Sequence, residues 1–393
     1  MNTGKEWLFQ LIEKQKQDLF YMNDEIHDHP EYDGEEYFAS EMLEQYLEKN
    51  GFEIEKGIVD EYPTSFRAIY RNGNGGPKIG ILTEYDALRG LGHGCGHNLQ
   101  GPGCLGAAVA LKNFKFTEPF ELIIYGTPAE ETRGAKVRML EEGCFKELDV
   151  VLMMHGGPNT QTDVKCLANN GYTVTFHGKR AHAALAPEKG RSALDAFMFA
   201  AQGIEFLREH VPDDVRMHYT LKELPGPANV VPARCVADFE VRSFSKIQLE
   251  EVSERVKKIF EGAALMADVT YDVEQTAAFR NKIPVIALND LLMENARLVN
   301  APQIAPPREK TGSTDFGNVM YEIPGSCIRV AFVPEGTSSH TKEFVDAGKT
   351  EAGHNAILIG AKCIAGCYYD ILKNPELLEC IKDEFKANKQ KNA

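Results

Sequence analysis

Hydrophobic positions recur with helical spacing over residues 5–26 and 35–50, then give way to short apolar runs of strand length, FRAIYR at 66–71 and KIGILT at 78–83. A helical pattern from Gly101 to Phe114 follows, then two more strand-like runs, Glu121 to Tyr125 and Val150 to Met154. Three of these runs lead into residues able to do chemistry. KIGILT ends at Glu84-Tyr85-Asp86, the run ending at Tyr125 enters Thr127-Pro128-Ala129-Glu130-Glu131, and the run ending at Met154 meets His155. In open α/β sheets, sites assemble at the carboxyl ends of strands, so the recurrence predicts one site built from several strand ends.

The pattern changes between residues 168 and 278. Strand-like YTVTFHG is followed by a helical stretch from Arg191 to Glu209 and strand-like runs near 216–221 and 235–242. A second helical stretch from Gln248 to Leu265 and a run near 268–274 complete it. This β-α-β-β-α-β order is that of a ferredoxin-like unit able to cover its own sheet with two helices. From about residue 284 the mixed α/β pattern returns. The expected fold is therefore α/β: a discontinuous domain over 1–167 and 279–393 with a mixed, mainly parallel sheet flanked by helices, and an inserted ferredoxin-like α+β domain over 168–278.

Composition narrows the partners. The 393 residues suit two domains, and 43% hydrophobic with 26% charged residues is ordinary globular composition. A formal charge of −15 argues against nucleic acid and anionic membranes as partners. No apolar run reads as a membrane span, and the N-terminal pattern is a charged amphipathic helix without a signal-peptide core, so a cytoplasmic location is expected. Nine scattered cysteines form no disulfide framework, and Cys363 and Cys367 read as packing residues in a small-residue helix.

The chemistry concentrates in GHGCGHN at 92–98, where His93, Cys95 and His97 lie on glycine-rich backbone. A thiolate, imidazoles and carboxylates are ligand types for a divalent transition metal. The thiolate favours zinc, manganese, cobalt or nickel over magnesium or calcium. Glu130 and Glu131 read either as a glutamate pair at a helix start or as one metal-gripping and one water-facing carboxylate. Asp86, just after a strand end, suits a carboxylate that takes the N–H of a ligating imidazole.

In order along the chain, EYDALRGLGHGCGHN, TPAEET, MMHGGP, GKRAHAA, PANVVP to VRS, GSTDFGN and SSHTKEF carry a resemblance. The chain is similar to a metallopeptidase family of aminoacylases, glutamate carboxypeptidases and indole-acetyl-amino-acid hydrolases. Its wording is nearest the branch with Xaa-Arg and β-alanyl-lysine dipeptidases and p-aminobenzoyl-glutamate hydrolases. The resemblance implies Cys95, His97, Glu131, His155 and His340 as metal ligands, with Cys95 able to bridge two ions, and Glu130 as general base; His93 stays outside the ligand set. A histidine stands at the position of Glu84 in the two-zinc branches, so one ion or two both fit. His182 and Asn229 would polarise the scissile carbonyl, often from the second subunit of a homodimer formed through the inserted lid domain. Arg242 would hold the substrate's free carboxylate, and Gly312-Ser313-Thr314-Asp315 would line the pocket. The expected function is a metal-dependent amidohydrolase that acts on an N-acyl-amino acid, a dipeptide or an aryl-amide conjugate. Two other readings stay open: a metal-independent Cys95/His97 thiol hydrolase, and a catalytically silent ligand-binding relative.

Overall fold

The computed structural model describes residues 3–391, which divide into two compact units, 3–165 with 282–391 and 166–281. The first unit opens with helices Thr3–Glu13, Lys16–Asp28 and Tyr37–Lys49. Its strands follow as β1 (Glu53–Lys56), β2 (Phe66–Asn72), β3 (Lys78–Thr83), β4 (Phe120–Gly126), β5 (Val150–Gly157) and β6 (Gln161–Thr162). The second unit contributes β7 (Ala168–His177), β8 (Arg216–Leu221), β9 (Arg234–Ser243) and β10 (Thr270–Phe279), and β11 (Gly325–Ala331) returns to the first unit.

The first unit's sheet has the order β1-β2-β4-β3-β5-β11-β6. Its central strands β4, β3, β5 and β11 run parallel, and the pairings outside them are antiparallel. Both faces are covered, which is why these strands read as continuous apolar runs rather than alternating ones. Ile79, Ile81, Leu122 and Ile124 enter the core on one face, and Leu82, Ile123 and Tyr125 enter a second core on the other. The helix Glu351–Lys373 crosses the larger core; it is long and apolar enough to span a membrane, yet 83% of its most apolar window is buried inside the unit. Cys363 and Cys367 are buried within it, and all nine cysteines are free.

Two expected elements differ. The helical pattern over 5–26 is broken at Lys14 and Gln15, because the Gln15 amide donates to the carbonyls of Leu11 and Gly106 and accepts from the Tyr46 hydroxyl, tying the break to two other helices. The helix expected from Gly101 begins at His97. Gly96 takes a left-handed φ of 79°, where a Cβ would meet the Phe332 and Phe344 rings at 3.4 Å, and the turn it makes starts the helix four residues early.

The second unit is an antiparallel sheet of order β10-β7-β9-β8 with helices Ala193–Arg208 and Lys246–Ala267. Tyr172, Val174 and Phe176 of β7 pack with Phe239, Val256 and Phe260 in a core of its own. The connectivity is the β-α-β-β-α-β of a ferredoxin-like unit.

Candidate metal centre

Four parallel strands in one sheet bring their carboxyl ends to one edge, and the polar motifs begin there. Beyond β3 lie Glu84 and Asp86; beyond β4 the turn through Ala129, at a left-handed φ of 54°, carries Glu130 and Glu131. The helix after this turn starts only at Ala135, so the glutamate pair does not sit at a helix start. His155 lies within β5 rather than after it, and the segment beyond β11 brings in His340.

Hydrogen bonds fix which nitrogen of each imidazole is free. His97 Nδ1 stands 3.0 Å from the Asp86 carbonyl and 3.1 Å from Asp86 Oδ1, both acceptors, so Nδ1 carries a proton and Nε2 is the nitrogen left to face an ion. The second Asp86 oxygen accepts from the Glu131 backbone N–H at 2.9 Å, so one carboxylate positions both residues. His155 Nδ1 donates to the Gly156 carbonyl at 2.6 Å, which leaves its Nε2 facing Cys95 Sγ at 3.5 Å. Burial, followed by the Arg329 and His97 charges, pushes the His155 pKa down to about 3, so the ring is neutral. His340 has a left-handed φ of 63°, an uncommon conformation for a side chain of this size. Its backbone N–H is anchored on the Gly94 carbonyl at 2.8 Å, and its Nε2 lies 3.6 Å from Glu131 Oε2.

Ligand atoms of Cys95, His97 and His155 lie within 4.8 Å of one another, as do those of Cys95, Glu131 and His340, and those of His97, Glu130 and Glu131. Cys95 belongs to two of these trios. Atoms bound to one ion at ~2.0–2.3 Å can stand up to ~4.5 Å apart, so the spacing suits a metal. Two buried atoms in the group, His97 Nε2 and Glu131 Oε1, make no hydrogen bond, although such atoms are ordinarily satisfied; Glu84 Oε2 stands 3.3 Å from His97 Nε2 without forming one. The residues therefore fit a divalent cation. His93 faces another way: its Nε2 donates to the Ile26 carbonyl at 3.1 Å.

A second cluster adjoins the first, and its lysine was not legible in the sequence. The fully buried Lys136 ammonium donates to Glu84 Oε1 and Asp315 Oδ1, each at 2.7 Å, while Gln100 donates to Glu84 Oε2 at 2.6 Å. Oxygens of Glu84, Glu130 and Asp315 lie within 4.8 Å of one another, which makes Glu130 common to both clusters. Burial would raise the Glu84 pKa, but Lys136 and His97 outweigh it and hold Glu84 down at about 2. Glu130 goes the other way: burial first, then Glu84 and Asp315, push it well above the usual carboxylate range. Only a lysine reaching back from the helix after the Glu130–Glu131 turn could have signalled this, and its partners are 52 and 179 positions away.

In the second unit, His182 and Asn229 lie on adjoining loops. Each pairs with the residue after the other: Ala183 N–H donates to the Asn229 carbonyl at 3.0 Å, and His182 forms an isolated β-bridge with Val230. The N–H groups of Ala184 and Leu185 point at His182 Nδ1 at 3.3 Å, so in the neutral ring the proton sits on Nε2, leaving it a donor. Arg242 is half-buried, and its guanidinium pairs with Glu240 two residues earlier, with Nη2 at 2.5 Å.

Thiol, imidazole and carboxylate groups clustered at the strand ends make a candidate metal centre, and similarity to known proteins gives the class. Residues 83–365 match peptidase family M20/M25/M40. The chain is 33% identical over 341 residues to a mouse (Mus musculus) Xaa-Arg dipeptidase, covering 84% of this chain and 79% of the relative. It is 30% identical over 454 residues to a p-aminobenzoyl-glutamate hydrolase component of Escherichia coli, covering 95% and 93%. Its fold is similar to that of a dinuclear metal binding peptidase from Bacillus subtilis, with a TM-score of 0.70 at 18% identity over 92% of this chain and 99% of the other. The chain belongs to the M20 peptidase family and is a hydrolytic enzyme.

Proposed function

We propose that this chain is a metal-dependent amidohydrolase that cleaves an amide or peptide bond next to a free carboxylate. The observation that carries the reading is the pair of buried, unpartnered ligand atoms, His97 Nε2 and Glu131 Oε1, beside Cys95, His155 and His340. These five side chains would hold one or two ions of zinc, manganese, cobalt or nickel. When bound, such an ion supplies Lewis acidity toward the substrate carbonyl and makes water easier to deprotonate. Glu130, whose pKa is raised by burial and by the Glu84 and Asp315 carboxylates, takes the water proton and passes it to the leaving amine. His182 Nε2–H and the Asn229 amide supply hydrogen-bond donors to the developing oxyanion, and Arg242 pairs with a substrate carboxylate after exchange with Glu240. Exposed Met198, Phe206, Leu265 and Met266 in the second unit support a homodimer formed through it. Nine free cysteines support a reducing, cytoplasmic setting.

The thiol-hydrolase reading is disfavoured by Cys95 itself. Burial, with Glu131 and Glu130 adding to it, pushes its thiol up to about 12, the reverse of what a nucleophilic cysteine needs. Glu130→Gln tests the mechanism: kcat should fall by ~10²–10⁴ with metal content by elemental analysis unchanged. Turnover close to wild type would exclude Glu130 as the base. Cys95→Ser should instead lose the metal, because a hydroxyl is a far poorer anionic ligand than a thiolate. A fully loaded serine variant would remove Cys95 from the ligand set, and a silent binding protein would hydrolyse nothing at full metal occupancy.

A further inference from the structure

Arg329 lies on β11 directly opposite His155 of β5 in parallel register, so the two side chains leave the same face of the sheet. Its Nε donates to Asp163 Oδ2 at 3.0 Å, and Asp163 Oδ1 accepts from Arg308 Nε at 2.6 Å. Lys282 Nζ donates to the Asp163 carbonyl at 2.8 Å. A single carboxylate thus serves two guanidiniums, and their shared charge remains positive.

The other end of Arg329 is not satisfied by the chain. Its Nη1 stands 3.1 Å from His155 Nδ1, but that nitrogen already donates to the Gly156 carbonyl at 2.6 Å, so two donors face each other with no acceptor between them. Nη2 has no partner among the described residues, and the side chain keeps 21% of its surface exposed. A guanidinium presents two parallel N–H groups that match a carboxylate.

We propose that Arg329, backed by Arg308, forms an anion subsite beside the metal centre that takes a side-chain carboxylate of the leaving amino acid. The inference rests on the amidohydrolase reading and sharpens its substrate class. An excess cation at this position attracts acyl-glutamate or acyl-aspartate conjugates and repels a conjugate that ends in arginine. This separates the chain from the dipeptidase named for arginine and aligns it with the hydrolase named for a glutamate conjugate.

The test uses one acyl group on three amino acids: 4-aminobenzoyl-L-glutamate, -L-glutamine and -L-arginine, with the metal-loaded full chain. Wild type should prefer glutamate to glutamine by about tenfold in kcat/KM, the worth of one hydrogen-bonded charge contact, with arginine last. Arg329→Gln should abolish the preference through KM more than kcat. Arg308→Gln leaves the His155 contact alone and lets Asp163 neutralise Arg329, so it should lower the ratio by about threefold even if Arg329→Gln disturbs metal binding. A glutamate-to-glutamine ratio unchanged in Arg308→Gln and in any metal-loaded Arg329→Gln, or a wild-type preference for arginine, overturns the proposal. If no conjugate is hydrolysed, the amidohydrolase reading fails instead. Calorimetric binding of free L-glutamate against L-glutamine to manganese-loaded wild type and Arg308→Gln then decides the subsite: a glutamate preference weakened in the variant supports it, and equal binding overturns it.

Discussion

The unit with the candidate metal centre and the four-stranded unit hold their polar residues in opposite ways. In the first, Glu84, Asp86, His97, Gln100, Lys136 and Asp315 are almost fully buried, and their polar atoms, His97 Nε2 aside, are matched to another side chain or to a backbone N–H. In the second, His182 and Asn229 are exposed and are placed by backbone contacts of their own loops. Buried charge is stable only when paired, so the first site is built into the folding energy of its unit. An exposed loop residue costs little to keep or to lose. The same enzyme should therefore respond to substitution in two ways, with lost stability in one unit and lost rate alone in the other.

The sharpest break of that contrast is Lys136→Met. It leaves Glu84 and Asp315 buried without their cation, and removing one partner of such a pair costs ~3–5 kcal/mol. Urea unfolding should show the loss as a lower midpoint; a cost under ~1 kcal/mol would mean that the carboxylates take up protons or water easily, and the contrast would fail. His182→Ala should do the reverse. Its stability should stay within ~0.5 kcal/mol of wild type, while kcat falls ~10²–10³ if its Nε2–H serves the oxyanion. A large stability loss with normal turnover would make His182 a structural residue.

What the sequence made legible follows the same division. The apolar runs that became β3, β4 and β5 were readable because strands covered on both faces are apolar throughout, and the clustered GHGCGHN and Glu130-Glu131 could be read because their members are neighbours in sequence. Lys136 was not readable. An isolated lysine on a helix is ordinarily solvated, and only the fold shows that this one lies between Glu84 and Asp315. Arg329 was hidden for a similar reason, since its relation to His155 exists only through the parallel pairing of β11 with β5, 174 positions apart. Arg242 was picked out as a carboxylate holder by likeness of motif, and its guanidinium pairs with the carboxylate of Glu240, on the same face of the same strand.

The smallest effect concerns Asp163, which carries the first unit's pattern of buried pairing away from the candidate metal ligands. Burial opposes its charge, but Arg329 and Arg308 outweigh burial and hold its pKa at about 2, against 3.8 for the free side chain. A carboxyl whose folded pKa is depressed adds stability that is present above the unfolded value and disappears as pH falls through the folded one. Asp163 should therefore contribute about 2 kcal/mol near neutrality, lost between about pH 4 and pH 2. Asp163→Asn cannot titrate, so its stability curve should be flatter than wild type over that window by about the same amount. Parallel curves would show that the two arginines do not hold Asp163 in its charged form. The shared carboxylate would then not be what fixes Arg329 beside His155, and the orientation of that guanidinium would have to come from β11 alone.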